Sequence, residues 1–159
     1  MLTVKQHLWF EKDMEAALEL YVSLIPGSKI EERSAIAADN PSGPSGSVKV
    51  ASFTLGDQSY MAIEAGKHEP FNDAFSILVE CDTQEEIDRL WAALTANGGC
   101  PVQCGWLKDP WGVSWQISST RLHALMNSPD AAAAQRAAAA MLKMVKIDIA
   151  AIEAAAKGE

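Results

Sequence analysis

Four side chains of this sequence, His7, Glu64, Ser76 and Gln116, are spaced as if they belonged to one reaction site. His7 lies six residues before Asp13, and Ser76 lies six before Asp82. Glu64 lies seven residues after Asp57, and Gln116 lies seven after Asp109. The aspartates stand at the openings of helices and at hairpin turns, so matching offsets suggest two copies of one module. Packed about a pseudo-twofold, the copies would bring the four residues into one concave sheet. Imidazole and carboxylate are good ligands for a divalent ion, whereas an amide is weak and a hydroxyl poor. His7 and Glu64 buried together also suit a general base, because burial raises a carboxylate towards neutrality. The plainer reading of His7 is an edge histidine on an apolar strand.

The elements that must position these residues are legible in the periodicity. VKQHLWF (4–10) alternates as a strand, with His7 and Trp9 on one face and Leu8 and Phe10 on the other. Asp13 is placed to cap a helix in which Ala17, Leu20, Tyr21 and Leu24 recur, and Pro26-Gly27 ends it. A strand over about 28–38, a loop of turn formers at 39–47 and two strands joined through Gly56-Asp57 follow. The second half repeats the order. AFSILVEC (74–81) is a strand, Thr83 and Glu86 have capping-box spacing, and Asn97-Gly98-Gly99 stops the helix. Short strands around VQCGW and GVSWQIS are joined across Asp109-Pro-Trp-Gly112. Each half is strand–helix–strand–strand–strand.

Three of the five tryptophans fall within residues 104–118. Trp9, Trp106, Trp111 and Trp115 could line a pocket for a flat or apolar ligand, or each could anchor a sheet or a dimer seam. Trp115 and Gln116 are neighbours on a strand and point to opposite faces, so only one of them can face a cavity. Cys104 has Lys108 as its one nearby cation, which favours an inert thiol over a reactive one. His68 falls in a polar connector and His123 on a short helix, and neither belongs to a Ser-His-Asp or Cys-His arrangement.

Composition narrows the function classes. The 159 residues allow one well-buried core, and 48% hydrophobic with 21% charged residues is a globular profile. A formal charge of −8 opposes a nucleic-acid groove, which requires clustered cations. The acidic residues between Asp73 and Asp88 are read as solvated helix surface. No apolar run reaches the roughly 20 residues of a membrane span, and the N-terminus lacks the features of a signal peptide. Three cysteines, Cys81, Cys100 and Cys104, cannot all pair within the chain, which points to a reducing cytoplasm. Cys100 and Cys104 lack a second Cys or His pair for a zinc site.

The segments LWF (8–10) with the following Asp13-x-Glu15-Ala-Ala17, ECDTQEEIDRLWAAL (80–94) and QCGWLKDPWGVSWQI (103–117) together resemble the PhnB-like branch of the vicinal oxygen chelate superfamily. That superfamily includes glyoxalase I, bleomycin-resistance proteins and extradiol dioxygenases. The tail AQRAAAAMLKMVKIDIAAIEAA (134–155) is similar to the helical end of the same branch. The resemblance implies an α+β fold in which paired βαβββ modules, about 1–66 and 72–120, form a half-open mixed barrel within residues 1–127, with a helical extension at 128–159. It also implies a homodimer and four inward metal-ligand positions. On this sequence those positions are His7 (Gln6 if the register slips), Glu64, Ser76 and Gln116. With two strong donors among four, the expectation is a degenerate site without a bound cofactor, a divalent metal being the alternative.

The branch carries a demethylubiquinone methyltransferase-like label, yet no strand here runs into the Gly-rich turn that holds S-adenosylmethionine. The resulting expectation is a small-molecule binding protein without robust metal catalysis, with Trp9 and Trp106 lining its pocket. The alternative is a glyoxalase-type lyase or isomerase using His7 and Glu64 with help from Gln116. A bleomycin-type sequestering protein is a third reading. The tail, opened by Ser128-Pro129-Asp130, is read as a dimer clasp or a lid.

Overall fold

The computed structural model describes residues 1–159, which divide into two compact units, Met1–Glu69 and Pro70–Glu159. The first contains β1 (Gln6–Phe10), α1 (Met14–Leu24), β2 (Lys29–Ala35), β3 (Lys49–Leu55) and β4 (Gln58–Glu64). Its strands lie in the order β1-β4-β3-β2, with β1 parallel to β4 and the other pairs antiparallel. The second begins with β5 (Ile77–Cys81), α2 (Gln84–Thr95), β6 (Cys100–Pro101), β7 (Trp106–Lys108) and β8 (Ser114–Ser119). Its strand order, β5-β8-β7-β6, repeats that of the first unit, again with one parallel pair. The βαβββ module is therefore present twice. The strands form two four-stranded mixed sheets rather than one closed barrel.

In the first unit, alternation sends Leu8 and Phe10 of β1, Ala51, Phe53 and Leu55 of β3, and Tyr60 and Ala62 of β4 to one face. There they meet Met14, Ala17, Leu18, Tyr21 and Leu24 of α1, all buried. Phe53 and Tyr60 stack with ring centroids 5.1 Å apart. Gly56 closes the β3–β4 hairpin with φ 57°, which a two-residue turn demands of its first residue. β2 ends at Ala35 and carries an irregularity between Ile30 and Glu32, so the regular strand is shorter than the pattern suggests.

The second unit buries Ile77, Cys81, Leu107, Trp115 and Ile117 of its sheet against Ile87, Leu90 and Leu94 of α2. Thr83 and Glu86 form the expected reciprocal capping box. Three helices follow: α3 (Thr120–Met126), α4 (Ala131–Met141) and α5 (Ile149–Lys157). The segment before α5 is fastened to its own unit. The Cys104 and Gly105 amides donate to the Met144 and Val145 carbonyls at 2.8 Å. Gln84 of α2 donates to the Ile147 carbonyl at 3.0 Å and accepts from the Ile149 amide at 2.9 Å. Gly105 must stay a glycine, since a Cβ there would lie 2.7 Å from the Ile117 carbonyl oxygen and 3.0 Å from Ile147. No helix is long and apolar enough to cross a membrane.

Candidate functional site

Residues opposite one another in a sheet project to the same side. In the first unit His7 is opposite Met61, Trp9 opposite Ile63, and Phe10 opposite Glu64. Phe10 is buried beneath α1, so Glu64 belongs to the helix-covered face, while His7 and Trp9 belong to the other. The expectation that His7 and Glu64 share a face is corrected by this register. Gln6, the alternative to His7, faces the helix side with Tyr60. His7 is exposed and Trp9 half-buried.

Glu64 has a different occupation. Its Oε2 accepts from the Met14 amide at 2.9 Å, and its Oε1 receives Lys49 Nζ at 3.0 Å. Asp13 sits at the helix N-cap but has a left-handed backbone, φ 59°, and its side chain makes no capping bond. The first turn of α1 is thus capped by a carboxylate from β4 instead of by Asp13. Burial alone would raise the Glu64 carboxyl, but the Met14 amide, the Lys49 ammonium and the Asp13 amide outweigh it and hold the group below the ordinary carboxylate range. A group ionised in this way is poorly matched to general-base chemistry near neutrality.

In the second unit Ile77 is opposite Trp115 and Leu78 opposite Gln116, while Trp106 of β7 is opposite Gln116 on the other side. Trp115 is fully buried on the helix-covered face, and its indole N–H donates to Asp109 Oδ2 at 2.9 Å. Gln116, Trp106 and the exposed Leu78 share the opposite face. Ser76, just before β5, joins them: Gln116 Nε2 donates to Ser76 Oγ at 2.9 Å. Beside this pair, Ser114 donates to Asp73 Oδ1 at 2.7 Å, and Lys108 Nζ lies 3.6 Å from the same oxygen. Sequence reasoning missed Asp73 and Ser114, although Ser114 stands two residues before Gln116 and strand period alone puts both on one side.

Cys81 and Cys104 are scaffold. Cys81 is buried, and burial first, with the Glu86 and Asp82 carboxylates, pushes its thiol up to about 11. Cys104 occupies the left-handed turn residue, φ 56°, that presents its amide to Met144. His123 lies on α3, exposed, with Nδ1 3.5 Å from Glu80.

The set His7, Glu64, Ser76 and Gln116 does not fit a divalent ion. His7 and Glu64 point to opposite faces of their sheet, Glu64 is already bonded to an amide and an ammonium, and the other two are neutral donors joined to each other. No group of three His, Cys, Asp or Glu side chains is arranged to hold a metal.

The family model described as 3-demethylubiquinone-9 3-methyltransferase matches residues 3–118, leaving α3, α4 and α5 outside it. No curated protein matches the chain. A solved PhnB protein from Bacillus cereus, also described as a 3-demethylubiquinone-9 3-methyltransferase, is 33% identical with a TM-score of 0.65; the match covers 75% of this chain and all 100% of that one. Protein PA1353 from Pseudomonas aeruginosa is similar at 23% identity and TM-score 0.56, covering 75% and 98% of the two chains. The fosfomycin resistance protein FosX from Listeria monocytogenes, at 11% identity and TM-score 0.54 over 79% and 97%, shares the fold alone.

Proposed function

We propose, from the premise that this chain belongs to the PhnB-like family described as 3-demethylubiquinone-9 3-methyltransferase, within the glyoxalase and bleomycin-resistance fold, that it binds a small uncharged molecule without using a metal. The observation that carries this reading is the Gln116–Ser76 pair on the face of the second sheet turned away from α2. With one amide hydrogen given to Ser76, Gln116 keeps its carbonyl oxygen and second hydrogen for a ligand, and Ser76 keeps a hydroxyl hydrogen. Trp106 and Leu78 flank them with apolar surface. Neutral donors and acceptors beside an aromatic wall suit a molecule with an apolar body and one carbonyl or hydroxyl group. The nearby charges of Asp73 and Lys108 neutralise each other and add no demand for an ionic ligand.

The reading includes a homodimer in the cytoplasm. All three cysteines are free, and pairing of two copies would cover the exposed Phe75 and Val102. A panel of small carbonyl and hydroxyl compounds screened by Trp fluorescence tests the site. A hit should bind about tenfold more weakly to Gln116→Leu, the scale of one lost hydrogen bond, and equally well with and without a chelator. Stoichiometric divalent metal in the purified protein, lost in Glu64→Ala and accompanied by activity, would instead favour the lyase or isomerase reading. Binding of S-adenosylmethionine would restore the methyltransferase one.

A further inference from the structure

The first unit carries an aromatic arrangement that the proposed site does not use. Trp9 stands on the face of its sheet opposite α1, beside Ile63 on β4, with His7 and Met61 on the same side. Its indole N–H donates to the Gly66 carbonyl at 3.0 Å. Gly66 has φ 79° and turns the chain immediately after β4, so that His68 comes back over the tryptophan. The imidazole and indole rings stack with centroids 4.3 Å apart and planes 28° from parallel.

Nothing in the scaffold requires that stack. Gly66, Lys67, His68 and Glu69 are all exposed, so the connector has no buried side chain to fix it. The Trp9 ring, by contrast, is oriented by its strand and by the bond to Gly66, and is half-buried. A half-buried aromatic ring is therefore covered by one that stands on an exposed connector. Imidazole is a small flat heterocycle, and its placement marks where another flat ring would lie.

We infer that Trp9 is a stacking platform for a planar aromatic heterocycle, and that His68 occupies it as an intramolecular placeholder. A bicyclic ring would cover more of the indole than imidazole does and gain the greater stacking area, with Met61 and Ile63 supplying apolar neighbours. A free heterocycle suits the platform better than a nucleic-acid base, because the chain's charge of −8 repels a polyphosphate. The site uses first-unit residues only, so it stands or falls separately from the Gln116 site.

Quinoline, titrated into the full-length protein and followed by NMR, tests the inference. It should shift the Trp9 indole N–H and return the His68 ring protons to the positions of an unstacked imidazole. Because the placeholder lowers the fraction of open platform, His68→Ala should bind quinoline about two- to tenfold more tightly, the scale of one aromatic stack. Trp9→Leu should abolish binding; since His68 is exposed, His68→Ala remains informative even if the tryptophan variant folds poorly. No binding by the parent and His68→Ala proteins, unchanged or weakened binding in His68→Ala, or shifts confined to the other tryptophans would overturn it.

Discussion

In the first unit two residues, Gly56 and Asp57, turn β3 into β4, whereas five, Asp109–Val113, separate β7 from β8 in the second. The longer turn is built around a buried carboxylate. Asp109 Oδ1 accepts from the Trp111 and Val113 amides, each at 3.0 Å, and Oδ2 accepts from the Trp115 indole. Counted from the first residue of each turn, Glu64 lies eight positions on and Gln116 seven, because Asp57 is the second residue of its turn and Asp109 the first, and strand faces alternate with period two. Glu64 and Gln116 therefore land on opposite faces, Glu64 on the side of α1 and Gln116 on the side away from α2. Duplicated modules keep strand order when their turns differ in length, but a count begun one residue apart in the two turns reverses side-chain direction, so ligand positions cannot be carried across from a matching residue type.

The largest expected effect comes from breaking the longer turn. Asp109→Ala removes the acceptor for three donors around a fully buried tryptophan. It should cost about 3 kcal/mol in urea unfolding, because buried donors left without partners lose their full solvation. A loss under about 1 kcal/mol would show that water replaces the carboxylate and that the turn is not organised by it.

The units also differ in how each first helix is capped. Thr83 and Glu86 cap α2 from within its own first turn, while α1 is capped from β4 across a separation of 50 residues. Glu64→Gln keeps the shape and removes the charge, and should cost about 1–2 kcal/mol at neutral pH, the upper part of the range for a cap. The folded-state carboxyl is held below its unfolded value, so its contribution is present above the ordinary glutamate pKa, near about 4.3. That contribution is lost as pH falls through the folded value. Parent and Glu64→Gln stabilities should converge in acid, and a gap that persists there would assign the effect to packing instead of charge.

These contrasts explain what could be read from the sequence. The capping box at Thr83 and Glu86, the Gly56-Asp57 hairpin and the opposed faces of Trp115 and Gln116 are local features, governed by neighbours within a few positions. The work of Glu64 was hidden because it depends on a parallel pairing of β1 with β4 and on the left-handed backbone of Asp13. The Asp13 residue type promised a cap that its dihedrals forbid. The turn's true length was hidden as well, because Val113 continues the alternating pattern of β8 and reads as strand until its amide is seen bonded to Asp109. The docking of residues 144–149 through Gln84 is another long-range match that no short window contains.

The smallest effect sharpens the same contrast. Thr83→Ala removes the side-chain acceptor of the Glu86 amide but leaves the Glu86 carboxylate able to accept from the Asp82 and Thr83 amides. Half of the reciprocal cap survives, so the loss should be about 0.5–1 kcal/mol, near the lower end for such substitutions. A hydroxyl does not titrate in the accessible range, and the penalty should be the same at neutral and acid pH to the extent that Glu86 contributes equally in both proteins. Combining Thr83→Ala with Glu64→Gln should give additive losses, since each substitution weakens a helix cap confined to its own unit. Measured non-additivity beyond about 0.5 kcal/mol would mean that the two modules do not hold their helices independently.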